Sequence, residues 1–199
     1  ILKLYGTYQI AVASYVKSLS EFRNIVSEIV SKYGLYIKEK KESILLDLTH
    51  FQYRFLLDKK ETNELHVKEE KEFTKLDELD KKILKVLCQN ARMPIVQIAQ
   101  KVKTTANIVV YRIKKMEKEK SILGYRPDIN NNLLGWTHYK ILFYLINVRK
   151  GDIMLLKGYL KDNPKVIYIV DEIGICDIDI EAMFKSQQEF FDFINNLKF

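Results

Sequence analysis

The sequence predicts an α+β chain: a central three-helix unit flanked by strand-rich segments that belong to β-α-β-β-α-β units. Three observations predict it. Residues 76–120 carry apolar side chains at helical spacing throughout. Both ends of the chain hold short runs rich in branched and aromatic residues, the composition of strands. The two ends also repeat each other. Carried forward by the interval from Ile1 to Ile169, Gly6 falls on Gly174 and Ile10 on Ile178. Lys17-Ser18 then falls on Lys185-Ser186, and Glu21-Phe22 on Glu189-Phe190, without a gap.

The elements follow in order. Residues 1–5 read as the end of a strand; Gly6 interrupts, and 8–16 read as a second strand. Ser18-Leu19-Ser20-Glu21 is a capping box, in which a hydroxyl accepts the N–H three residues on and the glutamate reaches back. The helix that follows aligns Leu19, Phe22, Ile25, Val26, Ile29 and Val30, and Gly34 suits a left-handed residue past its end. Residues 37–57 contain the strand-like stretch ESILLDLTHFQYRFLL. Residues 58–75 are charged without an apolar period and read as a solvated linker.

Three helices come next. The first, 77–90, has Leu79, Ile83, Leu84, Val86 and Leu87 as its stripe, with Asp77 and Asp80 at its positive end. Pro94 opens the second, which buries Ile95, Ile98, Ala99 and Val102. Lys103-Thr104 is the turn, Thr105 the cap, and 106–119 the third helix, with Val109, Ile113 and Met116 toward the core. Residues 125–129 read as a short strand and 130–132 as a turn. Residues 137–148 form a strand, 152–160 a helix ended by Pro164, and 165–173 and 176–183 two more strands around Gly174. Ser186-Gln187-Gln188-Glu189 caps a last helix carrying Phe190, Phe193, Ile194 and Leu197.

The expected domains are therefore 1–57, a partial β-α-β-β-α-β unit; 58–75, the linker; 76–130, the three helices; and 131–199, a second, truncated β-α-β-β-α-β unit. The C-terminal copy reads strand-helix-strand-strand-helix and stops. The N-terminal copy begins inside its second strand and runs through a final strand, so each holds what the other lacks. A sheet missing an end strand exposes unpaired backbone groups. Three explanations stand: a fragment of a longer protein with two complete copies, strands supplied by the other copy or a second chain, or chance similarity of two strand-helix units.

Composition narrows the class. Seven Gly and three Pro in 199 residues, 47% of them hydrophobic, argue against disorder over most of the chain. No stretch approaches the ~18 apolar residues that span a bilayer, and residues 1–16 lack a basic start and a small-residue cleavage site. Cys88 and Cys176 stand apart without a CxxC partner, so both are expected as reduced, buried thiols of a cytoplasmic protein, with no metal site and no cofactor. The net charge is +7. Between Lys81 and Arg126 there are twelve Lys/Arg against two acids, Glu117 and Glu119. Such a local excess is either the footprint of a polyanion partner or a solvated surface.

Two short helices, a tight turn and a third helix have the spacing of a helix-turn-helix, whose third helix enters a major groove. Asn107, Tyr111 and Lys114 fall away from the core stripe; Asn pairs with adenine edges, and Lys with guanine or phosphate. Arg112, Lys115 and Lys118 are placed to hold phosphates, which set register. The competing arrangement is a three-helix bundle with merely solvated lysines.

The run LDELDKKILKVLCQNARMPIVQIAQKV, then VVYRIKKMEKEKSILGYRPDI, then LGW, resembles the Lrp/AsnC (feast/famine) family of transcription regulators, in an archaeal arrangement that carries the module twice. The LDxxDxxIL opening, YRIKxxE and the IxGY that follows are specific in combination. VIYIVDEIGICDIDIEA resembles that family's effector domain, and residues 1–57 the rear part of the same domain. The resemblance implies a winged helix-turn-helix that binds double-stranded DNA. It also implies a ferredoxin-like effector (RAM) domain that forms homodimers or larger rings and can bind an amino acid between subunits. Carried over by position, the DNA contacts are Asn107, Ile108, Val110, Tyr111 and Lys114, beside the cap Thr105; the effector loop holds Gly174 and Asp177.

Departures qualify this expectation. Ile108 and Val110 stand where the family has polar residues, which implies either thymine-methyl contact or weakened binding. Thr104 replaces a core Leu, and Lys120 stands where a Gly closes the third helix, at a conformational cost. Gln9 replaces the aspartate in the N-terminal copy, and Asp177 itself reads equally as an exposed turn carboxylate. One rival is an assembly or effector-sensing protein with a degenerate helix-turn-helix. A second is an enzyme resembling haem-pathway decarboxylases, which needs His groups that the isolated His50, His66 and His138 do not form. No nucleophile elbow, Walker loop or HExxH is present, so a non-enzyme is expected.

Overall fold

The computed structural model describes residues 1–57, 64–68 and 75–197. It divides into two compact units, Ile1–Glu42 and Ser43–Phe199.

In the first unit, β1 (Leu2–Lys3) and β2 (Ile10–Ala11) form an antiparallel pair, and Gly6 between them takes φ +143°. The strand expected over 8–16 shrinks to two residues, because an isolated two-stranded ribbon is marginal. Helix α1 (Leu19–Tyr33) starts as its sequence requires. The Glu21 N–H donates to Ser18 Oγ at 3.2 Å, and the Glu21 carboxylate accepts from the Lys17 N–H at 2.7 Å. Gly34 is not left-handed as expected. It takes φ −55° and opens a short 3-10 turn, Gly34–Tyr36, whose tighter bonds satisfy the carbonyls at the helix end. None of α1 is buried.

The second unit opens with β3 (Ile44–Phe51), α2 (Arg54–Leu57) and β4 (Glu64–Lys68). The strand expectation over 37–57 therefore ends at Phe51. Arg54 explains why the chain turns there: its buried guanidinium donates to the carbonyls of Lys161 at 2.6 Å and of Asn163 and Val166 at 3.1 Å. Strand β4 lies inside the segment read as a linker. It pairs with β3, His50 facing Leu65 and Leu48 facing Val67; the rest of that segment, 58–63 and 69–74, lies outside the described residues.

Helices α3 (Glu78–Gln89), α4 (Ile95–Val102) and α5 (Ala106–Lys118) pack around Ile83, Leu87, Ile98, Ala99, Val102, Val109 and Met116. No strand forms over 125–129. That segment is held instead by side chains: Tyr53 Oη donates to the Pro127 carbonyl at 3.0 Å, and the Arg126 guanidinium donates to Tyr168 Oη. Strand β5 (Thr137–Phe143), α6 (Lys150–Asp162), β6 (Val166–Ile173), β7 (Ile178–Phe184) and α7 (Gln187–Asn196) complete the unit. The five-stranded sheet is antiparallel, in the order β4-β3-β6-β7-β5. Strand β3 thus adds to the sheet against β6. Both repeats keep the same punctuation: Gly174, like Gly6, has positive φ, at +126°, and Ser186 caps α7 as Ser18 caps α1.

One face of the sheet packs Phe51, Ile169, Ile178, Ile180 and Phe184 under α6 and α7. The other carries a polar row. Asp179 is 1% exposed and paired with Lys140, and Glu181 binds His138 at 2.9 Å. Burial and then the neighbouring Glu172 and Glu181 carboxylates push Asp179 up to about 6, against the pull of Lys140. Burial alone would lower Lys140; its bond to Asp179 more than reverses this. Beside this row, His50 is buried and stacks on Tyr168 at 4.5 Å between centroids. Cys176 is buried as expected, but Cys88 is exposed, because it lies one residue off the apolar stripe of α3.

Candidate nucleic-acid interface

The interface is built by what the three helices bury. Asp77 caps α3 through its own carboxylate and that of Asp80, each accepting the other's N–H, at 2.9 and 3.2 Å. Pro94 precedes α4, and Lys103 ends it with φ +57°, a left-handed turn that lets α5 leave at an angle. Thr105 caps α5 by accepting the Ile108 N–H. Val109 and Met116 are buried, and Ala106 and Ile113 complete the inward side.

The opposite side of α5 is open. Asn107, Ile108 (41% exposed), Val110 (36%), Tyr111 (65%), Lys114 and Lys118 stand on the surface, with Lys115 half-buried. Lys114 and Lys118 make no ion pair with a described residue, and Lys115 lies 3.9 Å from Glu119. The structure therefore brings together eight of the nine residues expected here, Thr105 and Lys115 at its margins.

Arg112, expected on a phosphate, turns to α3 here, its guanidinium 2.6 Å from Asp77 and 3.3 Å from the buried Asp80. The Asp80 N–H first, and the guanidinium after it, hold the Asp77 carboxyl below the usual range; bonding to Asp77 raises Arg112. These ion pairs link α5 to α3. The signal that would have found them is the pair of aspartates in LDxxD, whose charges need a cation once α3 is docked.

The other expected site lies in the β6–β7 turn. Gly174 and Asp177 are both exposed. Asp177 Oδ2 accepts the Leu145 N–H at 2.7 Å, and the Asp177 N–H donates to the Phe143 carbonyl. The carboxylate thus ties the end of β5 to this turn. Among the described residues, no group of three or more His, Cys, Asp or Glu converges as metal ligands do, and no helix is long and apolar enough to cross a membrane.

Residues 76–117 match the AsnC-type helix-turn-helix domain. The chain is 27% identical over 122 residues to an uncharacterised HTH-type transcriptional regulator of Pyrococcus abyssi, covering 61% of this chain and 82% of that protein. The chain carries the AsnC-type helix-turn-helix and is similar to HTH-type transcriptional regulators. Among solved structures of the fold, Escherichia coli AsnC superposes with a TM-score of 0.54 at 22% identity, over 62% of this chain and 82% of that one. A transcriptional regulator of Neisseria meningitidis in complex with L-Met superposes with a TM-score of 0.55 at 21% identity, over 60% and 78%. The Lrp/AsnC match accounts for the helix-turn-helix and the antiparallel sheet that follows it.

Proposed function

We propose that α5 is the recognition helix and lies in the major groove of double-stranded DNA, with Asn107, Ile108, Val110 and Tyr111 against base edges. Lys114, Lys115 and Lys118 face the phosphates, and Thr105 holds the helix N-terminus close to the backbone. The observation that carries this reading is the exposed side of α5, polar and apolar base-reading groups beside Lys114 and Lys118, which make no ion pair with a described residue, on a helix whose other side is sealed in a core. Arg112 positions α5 and touches no nucleotide. The apolar pair Ile108 and Val110 reads thymine methyls in this arrangement.

The wider reading is a cytoplasmic homodimer or larger homo-oligomer that answers to an amino acid and has no enzymatic activity. Residues 1–57 and 131–199 belong to two copies of the effector module, with Gly174 and Asp177 in its effector loop. The L-Met complex of the Neisseria regulator supports an amino-acid effector.

Selection of bound duplexes from a random pool, with and without amino acids, tests the reading. Enrichment of a defined motif with A·T pairs opposite Ile108 and Val110 is expected. Failure to retain any duplex at low salt overturns it in favour of an effector-sensing assembly protein, for which the exposed Ile108, Val110 and Tyr111 would form a protein contact.

A further inference from the structure

The three helices and the sheet have separate cores. Among the described residues, every side chain packed around Ile83, Ile98, Val109 and Met116 comes from 76–122. No residue of that stretch enters the two cores of the sheet. Cores that share no side chain are not fixed to each other by hydrophobic packing. The angle between them is set by whatever holds the chain that leaves α5.

That chain is gripped at successive points. Leu65 of β4 lies 3.7 Å from where a Cβ at Gly124 would stand. The Arg126 guanidinium donates to Tyr168 Oη, and Tyr53 Oη donates to the Pro127 carbonyl at 3.0 Å. Further on, Trp136 meets Phe55 of α2 edge to face, 4.8 Å between centroids. Leu65, Tyr53 and Phe55 all belong to the segment that runs from β3 through α2 to β4, and Tyr168 of β6 lies under His50 of β3. One segment, placed before the helix-turn-helix in sequence, thus holds the connection after it.

The seat of this segment is strong and its grip is weak. At the β3–β6 seam the two strands pair from Ile44 to His50. Arg54, 2% exposed, donates to the carbonyls of Lys161, Asn163 and Val166, and bonds from a buried charged donor are among the strong ones. Glu64 of β4 adds an ion pair to Lys161 at 3.0 Å. The Tyr53 and Arg126 hydrogen bonds, by contrast, are open to solvent, where water competes for both partners. The grip is therefore the first part to open.

We propose that β3, α2 and β4 form a strap that sets the angle at which α5 is presented, and that the three helices swing when Tyr53 and Arg126 let go while the seat at Arg54 stays closed. Tyr53 and Arg126 are positioning residues: both act on the connection and neither stands on the exposed side of α5. A fixed angle selects one separation between paired half-sites, whereas a swinging α5 accepts several. The strap itself rests on nothing in the DNA-binding reading; its consequence for half-site separation does.

The test uses the whole chain, spin-labelled at the native, exposed Cys88 of α3 and at Met154→Cys on α6, where Met154 is 68% exposed and Cys176 stays buried. Labelled chains are diluted with unlabelled protein, and pulsed electron resonance reads the distance between the labels. The chain with the native grip is expected to give a single narrow distance. Tyr53→Phe with Arg126→Gln is expected to lose it for a broad distribution, while amide exchange in β3, β6 and α3–α5 stays as slow as before. Tyr53→Phe alone removes one exposed hydroxyl, leaves no doubt about folding, and should broaden the distance in part. A distance as narrow in the double variant overturns the strap, as does a broad one before any substitution of the grip. Broadening that comes with fast exchange in α3–α5 also counts against it, because the helices have then melted rather than swung. On duplexes carrying the selected motif twice, the double variant should keep its affinity for one copy and lose its preference for one separation; an unchanged preference overturns that consequence. Retention of no duplex overturns the DNA-binding reading, and the distance measurement, made without DNA, still decides the strap.

Discussion

Replacing Lys114 and Lys115 together by alanine separates α5 as a DNA-binding helix from α5 as part of a solvated bundle. A protein that neutralises phosphates releases counterions, and log Kobs falls with log salt with a slope of about −0.9 per phosphate contact. The open side of α5 carries three lysines, Lys114, Lys115 and Lys118, with Lys115 only loosely held by Glu119. The double substitution should therefore flatten the slope by about 1.8 for each docked helix. Arg112→Ala should leave the slope unchanged, because its charge is already matched by Asp77 and Asp80; its effect should appear as lower stability of the three-helix core. Fluorescence anisotropy of a labelled duplex over a salt series, with circular dichroism to confirm folding, measures both. An unchanged slope in the double variant refutes the docking, and a loss of about 0.9 in a folded Arg112→Ala refutes its role as a positioning residue.

Two buried groups give the sheet opposed pH dependences. Burial, then Arg126, lowers His50 to about 4, so stability is lost as pH falls from 6.5 toward 4, by about 3 kcal/mol. Asp179, raised to about 6, gains about as much, roughly 3 kcal/mol, as pH falls from 6 toward 3.8. Urea unfolding should find the two offsetting each other in the native chain. Asp179→Asn should become acid-sensitive in this window and His50→Gln acid-stabilised; parallel curves for all three would contradict the assignment. Lys120 sits in the left-handed region at φ +60°, so Lys120→Gly should stabilise by about 1 kcal/mol or less, read as a small rise in thermal midpoint. Arg54→Leu strips donors from three carbonyls and should cost at least about 3 kcal/mol in the same unfolding assay.

The helix-turn-helix was legible because its information is local. Caps at Asp77 and Thr105, Pro94 before α4 and the apolar stripes fix each helix within a few residues of the chain. The sheet was less so. Residues 64–68 look like linker because their charges are near neighbours in sequence, whereas their strand exists only through β3. Residues 54–57 look like strand because nothing local reveals that Arg54 is drawn into the carbonyls at the end of α6. In the candidate interface Asn107, Tyr111 and Lys114 followed from helical period, whereas Ile108 and Val110 came only with the family resemblance. Arg112 did not, since period assigns a direction around the helix and not the partner waiting across it. The His50–Tyr168 stack was invisible for the same reason: the residues are far apart in sequence and meet only through the register of β3 on β6.

That register also reaches the DNA-binding unit. The segment leaving α5 is held by residues of the two strands that form the seam and by the turn after β3. Arg126 donates to Tyr168 of β6, and Tyr168 stacks on His50 of β3. Tyr53, just past β3, donates to the Pro127 carbonyl, and Leu65 of β4 lies within van der Waals distance of where a side chain at Gly124 would sit. A displacement of β3 along β6 would break the His50–Tyr168 stack and move Tyr53, and with them the two anchors of the chain that leaves α5. The pairing of β3 with β6 therefore bears on the same few contacts that hold the chain leaving α5, and it couples the sheet to that helix only where those contacts have two arrangements to choose from.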